Sequence, residues 1–132
     1  GSKCEGADLG IVVVGEGPYA EMKGDRYDLA LSPEDTAAVA ALKAAGLPVV
    51  VVVLSGRPMI LGDVADQADA ILAAWLPGTE GAGVVDVLTG AAPATGKLSF
   101  AWPRSMDQVP LGHQRETIEN PLYPLGFGLG YE

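Results

Sequence analysis

The segment IVVVGEGPYAEMKGD (residues 11–25) decides how this chain folds and raises the question of what it does. It starts with branched apolar residues, which are typical of a buried β-strand, and then changes abruptly into a polar loop. The loop carries three carboxylates, a lysine and a tyrosine, and residues 15–20 fit the pattern G-x-G-x-x-A. The segment therefore indicates either a dinucleotide-binding turn or a loop that presents a carboxylate to other chemistry.

A dinucleotide-binding turn needs a helix that begins inside the glycine motif and an acidic residue about 20 residues further on. Here the nearest helix start is Ser32, well beyond the glycines, and the next strand ends at Leu54 without an acid. Glu16 would also place a negative charge against a diphosphate. The phosphate-loop pattern G-x-x-x-x-G-K-[ST] is absent from the sequence, so we do not expect a nucleotide site.

Outward from this segment, apolar runs alternate with helix-like segments. The apolar runs are Leu9–Val14, Val49–Leu54 and Ala70–Trp75, with a shorter and more mixed fourth candidate at Lys97–Trp102. Helices are predicted from the Ser32 cap to Gly46, over Ile60–Gln67 and over Glu80–Leu88. Continuous apolar runs are typical of parallel strands covered on both faces. The pattern therefore predicts an α/β fold, a three-layer sandwich around a mainly parallel, flavodoxin-like sheet.

The predicted sheet is short for this architecture, which usually has about five or six strands. We therefore expect that an amino-terminal piece of the fold is missing from this sequence. Residues 1–8 are interpreted as a cloning scar and a ragged amino-terminal end, and residues 9–132 as a single domain. From Pro103 onward the chain is rich in proline and glycine, and we expect mostly coil.

Composition excludes several classes of function. The chain of 132 residues has a net charge of −9, which disfavours nucleic acid and anionic membrane surfaces as partners. No apolar run approaches the roughly 18 residues of a membrane span. Cys4 is the only cysteine, and His113 is the only histidine and is expected at the surface, so a zinc site has almost no ligands. We expect neither a metal nor another cofactor.

The loops after the strands supply the candidate functional residues, because ligands bind at the carboxyl ends of the strands in open α/β sheets. Besides the first loop, these are SGRPM (55–59), WLPGTEG (75–81) and WPRSMDQ (102–108). The candidates are Glu16, Glu21, Asp25, Glu80, Arg57, Arg104, Lys23, Tyr19, Trp75 and Trp102. Carboxylates beside aromatic rings suit a sugar site, where rings pack on the sugar and carboxyls transfer protons.

Structural explanations stay open for several of these residues. Arg57 is expected to cap loop carbonyls or to pair with a carboxylate. Glu80 stands at a helix start, where it favours the dipole, and Trp75 is expected in the core or at a domain interface. Asp25 can pair locally with the adjacent Arg26. On chemistry alone, no acid of the first loop is preferred over the others.

Longer segments of the sequence resemble a known family. They are VVVGEGPYAEMKGDRYDLALSPED (12–35), VVVVLSGRPMIL (50–61), ADAILAAWLPGTEGAGVVDVLTG (68–90), GKLSFAWPRSMDQVP (96–110) and PLYPLGFGL (121–129). In this order and at this spacing they resemble the C-terminal α/β-sandwich domain of glycoside hydrolase family 3, of the β-glucosidase and exo-β-glucanase type. The resemblance covers nearly the whole chain, although the stretch LGHQRETIENPLYP (111–124) departs from the family pattern. The resemblance also implies that the first strand and helix of the sandwich domain are missing from this sequence.

The resemblance implies a site shared between two domains. In that family an N-terminal barrel domain carries the nucleophilic aspartate, and the sandwich domain supplies a glutamate as general acid/base. Aligned with the loop pattern Gly-Glu-x-Pro-Tyr-x-Glu-x-Lys-Gly-Asp, that glutamate is Glu21, and Tyr19, Lys23 and Asp25 are expected near the substrate. The implied partners are a β-glucoside or β-glucan substrate and the barrel domain, in a retaining, periplasmic or secreted enzyme.

Two further expectations accompany this interpretation, and two alternatives to it stay open. The chain by itself is expected to be inactive, and the exposed edge of its sheet is a possible dimerisation surface. One alternative is a non-catalytic carbohydrate-binding or scaffold module of the same fold. The other is a nucleotide or flavin binder of the flavodoxin type.

Overall fold

The computed structural model describes residues 6–111 and 118–131. These residues contain three β-strands and three α-helices, in the order β1 (Gly10–Gly15), α1 (Pro33–Ala44), β2 (Val49–Leu54), α2 (Val64–Gln67), β3 (Ala70–Trp75) and α3 (Gly81–Leu88). Short 3-10 turns occur at Glu21–Gly24 and Met106–Gln108. The chain divides into two compact units, Gly1–Leu76 and Pro77–Glu132, which are described in turn.

The first unit contains a three-stranded parallel sheet in the order β1-β2-β3. The register runs from Gly10 opposite Val49 to Gly15 opposite Leu54, and β3 joins β2 with a shift just before Trp75. The helices α1 and α2 lie in the two crossovers, as parallel pairing requires. The predicted α/β class and parallel sheet are confirmed.

Helix α1 begins and ends where its sequence signals predict. The Ser32 hydroxyl accepts a hydrogen bond from the Asp35 backbone N–H at 3.0 Å, and Pro33 occupies the first turn. Gly46 adopts φ +78° just beyond the helix, a left-handed conformation that ends helices readily. Val39 of this helix is fully buried in the core of the first unit, together with Val51.

Burial differs between the strands. In β2, Val51, Val52 and Val53 are all buried, as expected for a strand covered on both faces. In β1, burial alternates: Val12 and Val14 are buried, whereas Ile11 and Val13 remain more than half exposed. The prediction of two covered faces is therefore wrong for β1, because the face that carries Ile11 and Val13 is exposed among the described residues.

The predicted helix at Ile60–Gln67 is only partly present. Ile60 instead pairs with Ala30 in an isolated parallel bridge, and its backbone N–H donates to the Leu29 carbonyl. Gly62 then adopts φ +52°, so the helical turns begin only at Val64. The extended pairing and the left-handed glycine together explain why α2 is so short.

The second unit contains α3 and a carboxyl-terminal region that is mostly coil in its described part, as predicted. The predicted fourth strand at Lys97–Trp102 is wrong. Trp102 makes only an isolated antiparallel bridge with Tyr123, and Leu98 exchanges hydrogen bonds with Gly126 and Phe127. A turn at 124–127 interrupts the partner segment between these points, so no continuous ladder forms.

Other contacts fix the end of the described chain within this unit. The Tyr131 hydroxyl donates a 2.6 Å hydrogen bond to the Val87 carbonyl at the end of α3. The rings of Tyr123 and Phe127 stack with centroids 4.8 Å apart. Among the described residues, no helix is both long and apolar enough to span a bilayer.

Candidate active site

The loop between β1 and α1, residues 16–32, begins at a point where only glycine fits. Gly15 adopts φ +147°, and a methyl group built on it would lie 1.8 Å from the Leu54 carbonyl oxygen of β2. The backbone therefore passes directly against β2 as it leaves the sheet. This close approach directs the next residue, Glu16, toward the loop that follows β2. We call residues 16–32 the β1 loop and residues 55–59 the β2 loop.

The Glu16 carboxylate is nearly inaccessible, with 4% of its side chain exposed, and it is held by two arginines. Arg57 Nη2 donates to Oε1 at 2.7 Å, and Arg57 Nε lies 3.2 Å from both oxygens. Arg26 Nη1 donates to Oε1 at 3.2 Å, and Arg26 Nη2 donates to the Ala30 carbonyl at 3.1 Å. The ion pairs join the start of the β1 loop to its later part and to the β2 loop.

Opposing effects act on the pKa of Glu16. Burial alone raises the pKa of this carboxyl, but hydrogen bonds and charge from Arg57, with hydrogen bonds from Arg26 and Tyr19, lower it below its usual value. Glu16 is therefore an anion at neutral pH and is not suited to donate a proton. Of the two arginines, Arg57 makes the forked contact that fixes the direction of the carboxylate.

Tyr19 packs against this ion pair. The Arg57 guanidinium carbon lies 4.8 Å from the centre of the Tyr19 ring, within cation–π range. The ring also covers Gly24, where a built methyl group would lie 2.2 Å from Tyr19 Cδ2. Gly24 is buried, and a side chain at this position would displace the ring. Tyr19 thus links the ion pair to the end of the 3-10 turn.

In the sequence Glu21 lies between Tyr19 and Gly24, and it is the first residue of the 3-10 turn. It is exposed, and its side chain makes no ion pair or hydrogen bond with another described residue. Its φ is +50°, a left-handed value that costs a non-glycine residue roughly 1 kcal/mol. The turn is closed by hydrogen bonds from the Lys23 N–H to the Ala20 carbonyl and from the Asp25 N–H to the Met22 carbonyl.

The other predicted site residues lie on the same loop. Lys23 and Asp25 are exposed, and the charge of Asp25 helps to raise the pKa of Arg57, after the larger effect of the Glu16 hydrogen bond. Tyr19, Lys23 and Arg57 line an open hollow of about 550 Å³, to which Glu21 does not contribute. The loop thus brings Tyr19 and Lys23 to a cavity and presents Glu21 separately.

The β2 loop is held in a compact form that places Arg57. Ser55 is buried, and its hydroxyl donates a 2.6 Å hydrogen bond to the Arg57 carbonyl. Met59, two residues further on, is fully buried. The sequence interpretation of Arg57 as a partner for a carboxylate is confirmed, and that carboxylate is Glu16.

The remaining candidates from the sequence lie outside the β1 and β2 loops. Trp75 is half-buried and adopts φ +55° beside the register shift of β3. Glu80 precedes α3 without capping it through its side chain, and Arg104 donates to the Pro121 carbonyl. Trp102 is buried, and its segment does not end a strand. Cys4 and His113 lie outside the described residues.

Sequence reasoning missed two residues of this site. Arg26 pairs with Glu16 across the loop and not with the adjacent Asp25, because neighbouring side chains on an extended segment diverge. Gly24 was not recognised as the position on which Tyr19 packs. The available signal was the glycine between Lys23 and Asp25, since a glycine in a polar loop often allows another group to approach the backbone closely. In the structure that group is the Tyr19 ring.

The arrangement combines a fixed, buried anion with a free, exposed one. Glu16 is fully occupied as a hydrogen-bond acceptor, whereas the Glu21 carboxylate is available to an external molecule. Among residues 6–111 and 118–131, no cluster of side chains suits a metal ion. An exposed carboxylate such as that of Glu21 can transfer protons and form hydrogen bonds.

Comparison with known families identifies the class of this domain. Residues 2–131 match the family described as glycosyl hydrolase family 3 C-terminal domain, and the chain belongs to that family.

Curated relatives include glycoside hydrolases from distant organisms. The chain is 35% identical over 147 residues to the periplasmic beta-glucosidase of Salmonella typhimurium, covering 95% of this chain and 19% of that protein. It is 34% identical to the lysosomal beta glucosidase of Dictyostelium discoideum, covering 97% of this chain and 16% of that protein. It is 33% identical to a beta-xylosidase of Formosa agariphila, with coverage of 98% and 20%. The chain thus spans about a fifth of the length of these relatives.

Solved structures share the fold. An exo-1,3/1,4-beta-glucanase from a Pseudoalteromonas species matches with a TM-score of 0.83 and 45% identity, over 95% of this chain and 17% of that one. A beta-glucosidase from Listeria innocua in complex with isofagomine matches with a TM-score of 0.82 and 25% identity, over 97% and 21% of the two chains. The α/β fold of the described residues is therefore one that also occurs in an exo-glucanase and a β-glucosidase.

Proposed function

We propose that this chain is the acid/base-bearing domain of a retaining, β-glucosidase-like glycoside hydrolase, with Glu21 as the proton donor. The observation that carries the proposal is the environment of Glu21. Its carboxylate is exposed and unpaired among the described residues, on a loop that two ion pairs hold at the carboxyl end of the sheet. A carboxyl group that acts on a substrate held by another domain needs a backbone in a fixed position and a side chain that the substrate can reach.

The nucleophile is proposed to come from a barrel domain in the same or another chain. In a retaining mechanism one carboxylate attacks the anomeric carbon, and a second, about 5–5.5 Å away, protonates the departing oxygen. The second group then removes a proton from the water that completes hydrolysis. Glu21 fits this second role because neither of its oxygens is committed to a described partner.

Closure of the barrel over the β1 loop is proposed to prepare Glu21 for acid catalysis. A general acid must keep its proton near the working pH, and burial beside a second carboxylate raises the pKa of a carboxyl group. In the chain alone Glu21 is exposed to water. We therefore expect the chain alone to hydrolyse no glycoside, because it supplies only one of the two carboxyls.

The proposed substrates are terminal β-glucosidic bonds. The relatives named above are β-glucosidases, a β-xylosidase and an exo-β-glucanase, and each of these names denotes an enzyme that acts on β-linked sugars. Tyr19 and Lys23 are proposed to lie close to the bound sugar, and Asp25 with them, because they share the loop with Glu21. The choice of sugar is left to the barrel domain.

The test compares this chain alone with a longer protein that joins it to the barrel domain. Hydrolysis of an aryl β-glucoside is expected only for the longer protein, and Glu21→Gln is expected to reduce kcat/KM by about 100-fold or more for a poor leaving group. Glu34→Gln is the matched control, because Glu34 is another exposed glutamate of the same unit. Turnover by the chain alone that Glu21→Gln abolishes would contradict the proposal. Tight binding of a sugar by the chain alone would favour the carbohydrate-binding alternative.

A further inference from the structure

We propose that Glu16, Arg57 and Tyr19 form a loop clamp, a positioning device that holds Glu21 in the geometry for proton transfer. The proposal deepens the function proposed above and rests on Glu21 as the proton donor. The three residues act through Glu21 and not on the scissile bond. They are therefore positioning residues.

Glu16 anchors the start of the β1 loop. Its 4% exposed carboxylate receives the forked guanidinium of Arg57, from a different loop, and one hydrogen bond from Arg26. A forked contact fixes both distance and direction, which a single charge contact does not. The start of the β1 loop therefore has a fixed position relative to the carboxyl end of β2.

Tyr19 connects this anchor to the segment that contains Glu21. Tyr19 lies over the Arg57 guanidinium at 4.8 Å, and its ring packs on buried Gly24. The Tyr19 hydroxyl also lies beside Gly56 of the β2 loop, where a built methyl group would be 3.1 Å from it. Residues 19 and 24 thus bracket Glu21 on both sides in sequence, and both are held by packing.

The backbone of Glu21 has an unfavourable conformation. A non-glycine residue with φ +50° persists where its surroundings restrict it, because the unrestrained chain relaxes to negative φ. Such a relaxation would turn the Cβ of Glu21 in a different direction. The loop clamp accounts for this conformation because Tyr19, two residues before Glu21, and Gly24, three residues after it, are both held in place.

The experiment uses two substrates that differ in their need for a proton donor. Departure of 2,4-dinitrophenolate from a β-glucoside needs no protonation, whereas departure of methoxide from methyl β-glucoside does. The quantity measured is kcat/KM, which reports the glycosylation step. The protein is the longer one described above, with Arg57→Lys and Glu16→Gln as the test variants. Arg57→Lys keeps the charge but loses the fork, and Glu16→Gln keeps the shape but loses the charge.

A misplaced acid is expected to affect only the substrate that needs it. For both variants we expect kcat/KM for methyl β-glucoside to fall by about 100-fold, as small misplacements of a catalytic group can produce. For the 2,4-dinitrophenyl substrate we expect a change of less than about threefold, since no proton is transferred to the leaving group. Lys43→Gln is the control, because it removes an exposed ion pair with Asp69 of the same unit. It is expected to leave both values unchanged.

The outcomes separate this proposal from the function on which it rests. Glu21→Gln is expected to lower kcat/KM for methyl β-glucoside selectively. If it does so while Arg57→Lys and Glu16→Gln show equal losses on both substrates, or no loss on either, the loop clamp is overturned. If Glu21→Gln itself shows no selective loss, the assignment of the acid is overturned instead. Each variant is assayed at a temperature at which circular dichroism shows it to be folded. Glu16→Gln keeps the test decisive if Arg57→Lys does not fold.

Discussion

The Glu16 carboxylate lies 2.7 Å from Nη2 of Arg57, although 41 residues separate the two along the chain. The pair connects the loops that follow two neighbouring parallel strands, and 26% of the Arg57 side chain remains exposed. Removal of one partner from a buried ion pair is costly, because the other is left charged without compensation. The stability of variants at these two positions is therefore a direct measure of the structural role of the pair.

Arg57→Ala is expected to lower the free energy of unfolding by about 3 kcal/mol, since it leaves the Glu16 carboxylate buried with only Arg26 as an ion-pair partner among the described residues. Urea denaturation of the chain followed by circular dichroism measures this change. Lys43→Gln is the matched control, because the Lys43–Asp69 pair is 34% and 51% exposed and such pairs contribute less than about 1 kcal/mol. Equal losses for the two variants would contradict the buried character of the Glu16 pair.

The contribution of Glu16 to stability is expected to disappear in acid. Its pKa in the folded protein is held below the usual 4.5, because Arg57, Arg26 and Tyr19 outweigh the effect of burial. The folded protein therefore binds fewer protons than the unfolded chain near this pH, so stability is complete above about pH 4.5 and falls as the pH drops through the folded-state pKa.

The measurement is the difference in the free energy of unfolding between the unsubstituted chain and Glu16→Gln. We expect this difference to be largest at neutral pH and to narrow as the pH falls below about 4.5. Asp69 also has a lowered pKa, from the Val49 backbone N–H and then Lys43, but it is present in both proteins and its effect cancels. A difference that does not vary with pH would show that the charge of Glu16 is unimportant.

Gly24→Ala is expected to destabilise the chain by about 1–3 kcal/mol, because its methyl group would lie 2.2 Å from Tyr19 Cδ2 and force the ring away. Tyr19→Ala removes the ring with which that methyl group collides. The loss in the double variant should therefore be smaller than the sum of the two single losses. Denaturation of all four proteins provides the comparison, and strictly additive losses would mean that the two residues do not interact.

Ser32→Ala is expected to reduce stability by about 1 kcal/mol, because the Ser32 hydroxyl caps α1 through the Asp35 N–H. Asp63→Ala is the control: Asp63 precedes α2, but its side chain makes no capping hydrogen bond. Thermal unfolding of the two variants should show a lower midpoint for Ser32→Ala only. A similar decrease in the unfolding midpoint of both variants would indicate that stability depends on the position of the residue near a helix start and not on the capping hydrogen bond.

Much of the fold was predictable because its signals are local. The runs Val49–Leu54 and Ala70–Trp75 match the observed strands residue by residue, and the cap at Ser32 begins a helix as expected. The predictions of secondary structure are wrong where the conformation of a segment depends on hydrogen bonds with a segment distant in the sequence. Ile60 was assigned to a helix, but its pairing with Ala30 keeps it extended, and a turn in the partner segment prevents a strand at Lys97–Trp102.

The site was predictable in its composition but not in its pairing. The sequence placed Glu16, Glu21 and Arg57 in loops at one edge of a parallel sheet, and the structure agrees for this first unit. It did not reveal that Arg26 reaches back to Glu16, nor that Glu21 has a positive φ. Both depend on how the β1 loop closes on itself, and local residue preferences do not determine such closure.

The close approach of Gly15 to the Leu54 carbonyl has a consequence for protein engineering. A designer who wishes to transplant the β1 loop into another scaffold must also transplant the neighbouring strand β2, because the loop leaves the sheet through a glycine whose backbone lies directly against Leu54. The Arg57 segment must accompany it as a second insert. The transferable module is thus a pair of adjacent strand ends with their loops, and not a continuous peptide.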